Sequence, residues 1–211
     1  MDSKLIDYER LLASWPGLTS RSTGDPGPLV EDSLVLLEHI GGSRTLLDVG
    51  SGGGMPGIPL KIARPELEVT LIEADRRKAA FLVHAAASLG LDVRVVPERA
   101  ETAAHGPLRE SFDLVTCRAL APMPVLAELC LPFARVGGRL LAMKTTGEET
   151  SAAFELLGGG PPEIVAAATA AHGSGVLVVV PKMASTPPAY PRRPGLPVRR
   201  PLPPSRAARS L

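Results

Sequence analysis

Apolar residues between Leu5 and Ile40 recur at helical spacing: Leu5, Tyr8, Leu11, Leu12 and Trp15, then Leu34, Leu37 and Ile40. The stretch between the two sets, Pro16 to Pro28, is rich in Gly, Pro, Ser and Thr and predicts a loop. The N-terminus therefore reads as two helices packed on a larger body. From Thr45 to Pro181 the period changes. Short apolar runs predict strands at Thr45–Val49, Glu68–Glu73, Asp92–Val96, Phe112–Thr116, Arg139–Met143, Glu163–Ala167 and Val176–Val180. Helical patterns fall between most of them, at Ile58–Ala63, Arg76–Leu89, Pro122–Phe133 and Glu148–Leu157. Strand, crossover helix, strand is the pattern of a mostly parallel sheet covered on both faces. No helix pattern separates the last two strands, which predicts a terminal antiparallel hairpin. The chain divides into a helical extension (1–43), an α/β domain (44–181) and a tail (182–211) within one globular body.

Composition changes this picture mainly at the tail. The chain has 211 residues, 45% of them hydrophobic and 21% charged, with 23 Lys plus Arg against 22 Asp plus Glu. From Pro181 onward there are nine of the 22 prolines, seven cations and no acid. Removing those seven cations from the net +1 leaves about −6 on the rest, so positive charge is segregated. Such a segment is expected to be extended at least in part, either as a solubilising terminus or as an arm that contacts phosphate through Arg192, Arg193, Arg199 and Arg200. Cys117 and Cys130 make no disulfide scaffold, and with four scattered histidines they show no metal spacing. Acids near the N-terminus exclude a signal peptide pattern, and the longest uncharged run, Ile164 to Pro181, is interrupted at His172-Gly173-Ser174-Gly175. A cytoplasmic monomer with neither membrane nor metal is expected.

The most informative segment is Asp48-Val-Gly-Ser-Gly-Gly-Gly-Met-Pro-Gly-Ile-Pro-Leu60, a strand running into a glycine turn that opens a helix. Gly52 to Gly57 formally satisfy the dinucleotide fingerprint, a weak signal alone. Asp48 at the strand end is a poor neighbour for a pyrophosphate and a good one for a cation, and Pro56 removes an N–H that a phosphate would want. The turn, with Gly50, Gly52, Gly54 and Met55, therefore suits the positively charged S-adenosylmethionine. Glu73, about twenty residues on, has the spacing of a ribose-binding carboxylate, with Asp75 a nearby substitute. After the third strand, Ala100 and Glu101 are candidates for reading the adenine edge.

The fourth strand leads to Cys117 and Arg118, at the end of the sheet where ligands bind in such folds. Cys117 lacks a preceding proline and a base, and reads as packing. Neither the amine-accepting Asn-Pro-Pro-Tyr motif nor a nucleophilic cysteine is present. An acceptor with its own in-plane lone pair, such as N7 of guanine, needs neither. Arg118 and Lys144 are positioning candidates, Lys144 toward RNA phosphate; the alternatives are an ion pair for Arg118 and a solvated strand end for Lys144.

At this point the glycine-turn segment resembles the signature of the bacterial 16S rRNA guanine-N7 methyltransferases, also called glucose-inhibited division protein B. Cys117-Arg118-Ala119 is similar to the family's Ser-Arg-Ala, and Tyr190-Pro-Arg-Arg-Pro-Gly-Leu-Pro-Val-Arg-Arg-Pro-Leu202 to its basic C-terminal motif. The resemblance implies a class I, Rossmann-like methyltransferase fold using S-adenosylmethionine, acting on a guanine of 16S rRNA in the 30S subunit. Carried over by motif, Gly50, Met55, Ala100, Glu101 and Arg118 would face the cofactor. Departures are Gly17-Leu18-Thr19 for Asn-Leu-Thr, a missing histidine before Ser33-Leu34, and Thr145 for glycine. Rival readings are a methyltransferase of a small molecule or protein, a non-catalytic RNA-binding protein that retains the cofactor pocket, and, last, an NAD oxidoreductase.

Overall fold

A computed structural model describes residues 2–15, 18, 25–118, 121–144, 151–167 and 175–203. Seven strands form one sheet: β1 (Thr45–Val49), β2 (Glu68–Ile72), β3 (Val93–Val96), β4 (Phe112–Arg118), β5 (Ala134–Lys144), β6 (Glu163–Ala166) and β7 (Val176–Pro181). Their order is β3-β2-β1-β4-β5-β7-β6. The first five are parallel, and β7 runs antiparallel to both β5 and β6. The expected hairpin of β6 and β7 is present, and β7 is the member that joins it to the sheet.

Consecutive residues of the central strands point to opposite faces, and both faces are buried. Leu47, Val115 and Leu140 join Phe133 and Phe154 on one side; Leu46, Leu114 and Leu141 join Tyr8, Ile58 and Phe81 on the other. The first side is covered by α5 (Ala100–Ala103), α6 (Met123–Cys130) and α7 (Ser151–Leu156). The second is covered by α1 (Ser3–Ser14), α2 (Gly27–Leu34), α3 (Gly57–Ala63) and α4 (Arg76–Leu89). α4 has two clear ends: the Asp75 carboxylate accepts the N–H groups of Arg77 and Lys78, and Gly90 closes the helix at φ 59°. Both cysteines lie buried and free on the first side, as packing.

Several boundaries differ from the sequence expectation. The helix expected to run to Phe133 stops at Cys130 and continues as a 3₁₀ turn, because Pro132 lacks the N–H an α-helix needs and crowds the preceding turn. β5 begins at Ala134 rather than Arg139: Phe112 faces Ala134 while Leu114 faces Arg139, so β5 bulges around Gly137-Gly138. A Cβ at Gly138 would lie 2.8 Å from the Asp113 carbonyl oxygen, which explains the glycine. The N-terminal part of the helix expected from Glu148 falls outside the described residues, as does most of the Pro16–Pro28 loop.

The tail is the main correction. Among its described residues, 182–203, the one helix is the short α8 (Leu196–Arg199), yet the segment is strapped to the domain rather than free. Lys182 is buried, its Nζ donating to the carbonyls of Leu131 and Leu157 and to the Thr186 hydroxyl. Arg109 donates to the Thr186 and Tyr190 carbonyls. Proline-rich chain with no core of its own can still be held when such donors meet its carbonyls.

Candidate cofactor cleft and its supports

The turn after β1 lies at the carboxyl end of the strand, and its geometry follows from its glycines. The N–H groups of Gly50 and Ser51 both reach the Ile72 carbonyl of β2, at 2.9 and 3.0 Å, which holds the turn over the sheet. Gly52 takes φ +56°, where a side chain would be strained. Gly57 serves close packing instead, since a Cβ there would lie 2.4 Å from a Leu71 methyl. The buried Tyr8 of α1 donates its hydroxyl to the Gly53 carbonyl at 2.5 Å. The N-terminal extension thus buttresses the turn from behind, a role that the helical spacing of Tyr8 did not reveal.

A cleft of about 330 Å³ opens beside this turn. Of the residues the sequence singled out, Gly50, Gly52, Glu73, Ala100, Glu101 and Arg118 line it. Glu73 Oε2 accepts the Gly52 N–H and Oε1 the Asp75 N–H, both at 2.8 Å. Each oxygen keeps a further lone pair, which suits a pair of vicinal hydroxyls.

Asp48, Gly54 and Met55 do not line the cleft. Asp48 is sealed beneath the turn, with Oδ2 accepting the Gly57 N–H at 3.2 Å and Oδ1 lacking a hydrogen-bond partner. Burial pushes its pKa up to about 7, against the lowering pull of the Gly57 N–H and the Ser51 and Thr116 hydroxyls. Met55 packs near Arg118, its sulfur 4.0 Å from Nη1.

Arg118 is held by the N-terminal extension. Its Nη1 donates to the Leu29 carbonyl at 2.7 Å, and Nη2 lies 3.7 Å from the buried Asp32. Glu101 lines the cleft, yet its carboxylate is engaged by a two-point bond from Arg99 and by the Gly195 N–H of the tail at 2.9 Å. Burial alone would raise its pKa; the Arg99 and Gly195 bonds outweigh it and hold the carboxyl below its usual range. Lys144, at the same sheet edge, donates to the Ala121 carbonyl at 3.0 Å.

The tail arginines separate. Arg192 is clamped to the buried Glu128 of α6: Nε and Nη2 lie 2.8 and 2.6 Å from its two oxygens, and the backbone N–H adds a third bond. Its charge is matched inside the protein, unlike the free contact that the sequence suggested. Arg193, Arg199 and Arg200 are exposed. The sequence reading also missed Lys78, Glu98 and Arg99, which line the cleft from the start of α4 and the loop after β3.

A seven-stranded sheet of this order, with a glycine turn after β1 and an acid following β2, is the class I S-adenosylmethionine-dependent methyltransferase fold. Solved structures agree at the level of fold. PigF bound to SAH has a TM-score of 0.57 at 20% identity, covering 74% of this chain and 55% of that one. A T. thermophilus 16S rRNA N2 methyltransferase in complex with AdoMet and guanosine has a TM-score of 0.53 at 19% identity, covering 82% and 42%.

The family model described as rRNA small subunit methyltransferase G matches residues 2–155, and the chain belongs to that family. Curated relatives of that name include one from Staphylococcus epidermidis, 42% identical over 168 residues (76% of this chain, 70% of the relative). Another, from Moorella thermoacetica, is 44% identical over 184 residues (82% and 76%). S-adenosylmethionine is the cofactor the fold implies, and this cleft fits it. A turn with little side-chain bulk admits close approach, an acid with spare lone pairs suits the ribose, and a buried carboxylate with one oxygen lacking a hydrogen-bond partner lies under the turn, favouring a cation nearby.

Proposed function

We propose that this chain transfers a methyl group from S-adenosylmethionine to N7 of a guanine in 16S rRNA, working as a cytoplasmic monomer on the 30S subunit. The observation that carries the reading is the cleft at the carboxyl ends of β1 and β2, with Glu73 facing it and the arginine-bearing tail tied to its wall through Glu101. The family membership supplies the substrate class.

When bound, S-adenosylmethionine supplies a methyl group on a positively charged sulfur. Glu73 would accept from the ribose hydroxyls through the lone pairs its backbone partners leave unused. Gly50 and Gly52 would let the ligand approach the backbone, Ala100 would wall the base, and Asp48 would contribute negative potential from beneath the turn. Arg118, fixed on Leu29 and Asp32, positions the methionine moiety or a substrate phosphate. Because N7 of guanine brings its own in-plane lone pair and carries no proton, no residue of this chain would have to act as a base, and what its residues would contribute is alignment and exclusion of water. Lys144 and the exposed Arg193, Arg199 and Arg200 hold RNA phosphates.

The test incubates 30S particles with methyl-labelled cofactor and maps the modified base by cleavage specific to 7-methylguanine. Label at one guanine of 16S rRNA, lost in Glu73→Ala, is expected. Label at another atom, or none in RNA, overturns the reading.

A further inference from the structure

The cofactor cleft lies at the carboxyl ends of the strands. At the opposite edge, where β1, β4 and β5 begin, lies a second open cleft of about 430 Å³, lined by Ser43, Arg44, Asp113, Arg135, Gly137 and Arg139. Three arginines and one carboxylate line it. That carboxylate is already occupied: Asp113 Oδ1 accepts from Arg135 Nε at 2.6 Å, and Oδ2 accepts the N–H groups of Arg44 and Thr45 at 2.7 and 3.0 Å. Arg139 is pinned through Nη2, which donates to the carbonyls of His39 and Ile40 at 2.6 and 3.3 Å, while its other nitrogens have no partner among the described residues. The Arg44 side chain is exposed and makes no ion pair among the described residues. Glu68, in register beside Thr45, is the next acid along the edge.

The cleft thus carries a surplus of two positive charges, one of them pinned at Arg139, with donors arriving from both sides of the β5 bulge and from the turn before β1. A planar carboxylate offers two oxygens to such an arrangement. A tetrahedral oxyanion offers three or four in different directions and suits it better. We propose that this cleft binds phosphate oxyanions, as an anchor separate from the methyl-transfer site. An RNA phosphodiester and a free phosphate ester present the same chemistry. The first source rests on the rRNA reading above; the second does not.

The experiment uses the full chain as wild type, Arg44→Gln and Arg44→Glu, with Arg94→Gln as a control that removes an exposed charge from β3. One arm measures inorganic phosphate binding by calorimetry. The other measures 30S binding against salt, together with methyl transfer at saturating 30S and cofactor affinity. Both Arg44 variants weaken phosphate binding. If RNA is the occupant, they also raise the half-saturating 30S concentration roughly two- to five-fold. The log–log salt slope then falls by about 0.7–0.9, one phosphate contact. Cofactor affinity and saturated methyl transfer stay unchanged. Weakened phosphate binding with unchanged 30S binding assigns the cleft to a free phosphate ester. No change in either arm, or an equal change in Arg94→Gln, overturns the proposal. A wild type that labels no 16S rRNA overturns the rRNA reading instead, and leaves the phosphate arm to judge the cleft alone.

Discussion

Asparagine in place of Asp48 removes a charge that the fold seals beneath the glycine turn. The side chain is fully buried, Oδ2 accepts the Gly57 N–H, the Ser51 and Thr116 hydroxyls lie close by, and Oδ1 has no hydrogen-bond partner. Burial raises the pKa from 3.8 to about 7. A raised acid pKa means that the folded state holds the proton more tightly than the unfolded chain. No cost exists below the unfolded value; it grows as pH rises and is complete above pH 7. At 1.36 kcal/mol per pKa unit the full cost is about 4 kcal/mol. The Asp48→Asn amide keeps an acceptor for Gly57 and carries no charge. Its stability relative to wild type is therefore expected to improve by roughly 3 kcal/mol between pH 4.5 and pH 8. Urea unfolding of both proteins without cofactor across that range measures it. Calorimetry at pH 8 gives the functional counterpart: affinity falls more for S-adenosylmethionine than for its demethylated product, which lacks the sulfonium charge. A stability difference that stays constant with pH refutes the buried-charge argument, and equal losses for the two ligands refute the electrostatic role.

Tyr8→Phe deletes the hydroxyl that holds the Gly53 carbonyl and should cost about 1 kcal/mol in thermal or urea unfolding, with a few-fold loss of cofactor affinity. Loss of stability without loss of affinity would show that the extension does not shape the turn. Arg192→Ala leaves the buried Glu128 carboxylate without its cation and should cost about 3 kcal/mol in urea unfolding. Arg200→Ala, an exposed site, should leave stability unchanged and weaken 30S binding in a salt-dependent way. Burial lowers the Lys182 pKa from 10.5 to about 8, so the unfolded chain binds the extra proton between those values and stability should rise with pH across that window. The rise, up to about 3 kcal/mol, should be missing in Lys182→Met when the two unfolding series are compared.

Much of the sheet was legible because alternation and period are local properties of the chain. Leu46 beside Leu47, and Leu114 beside Val115, announce strands buried on both faces, and α4 carries both its caps in Asp75 and Gly90. The glycine turn, and Glu73 some twenty residues later, were legible for the same reason: their spacing is set by one strand–helix–strand unit. Chain order alone left open which distant groups meet. That Tyr8 supports Gly53, that Leu29 and Asp32 hold Arg118, and that Glu128 neutralises Arg192 each depend on contacts between segments far apart in the chain. Composition marked the tail as unable to build a core but not as tied down, since a strap is held by partners on other elements, here the donor Arg109 and the acceptors Glu101 and Glu128. Hydrophobic pattern is carried by neighbours in sequence. The destination of a charge is decided by whatever opposite charge or open carbonyl the completed fold brings within about 3 Å.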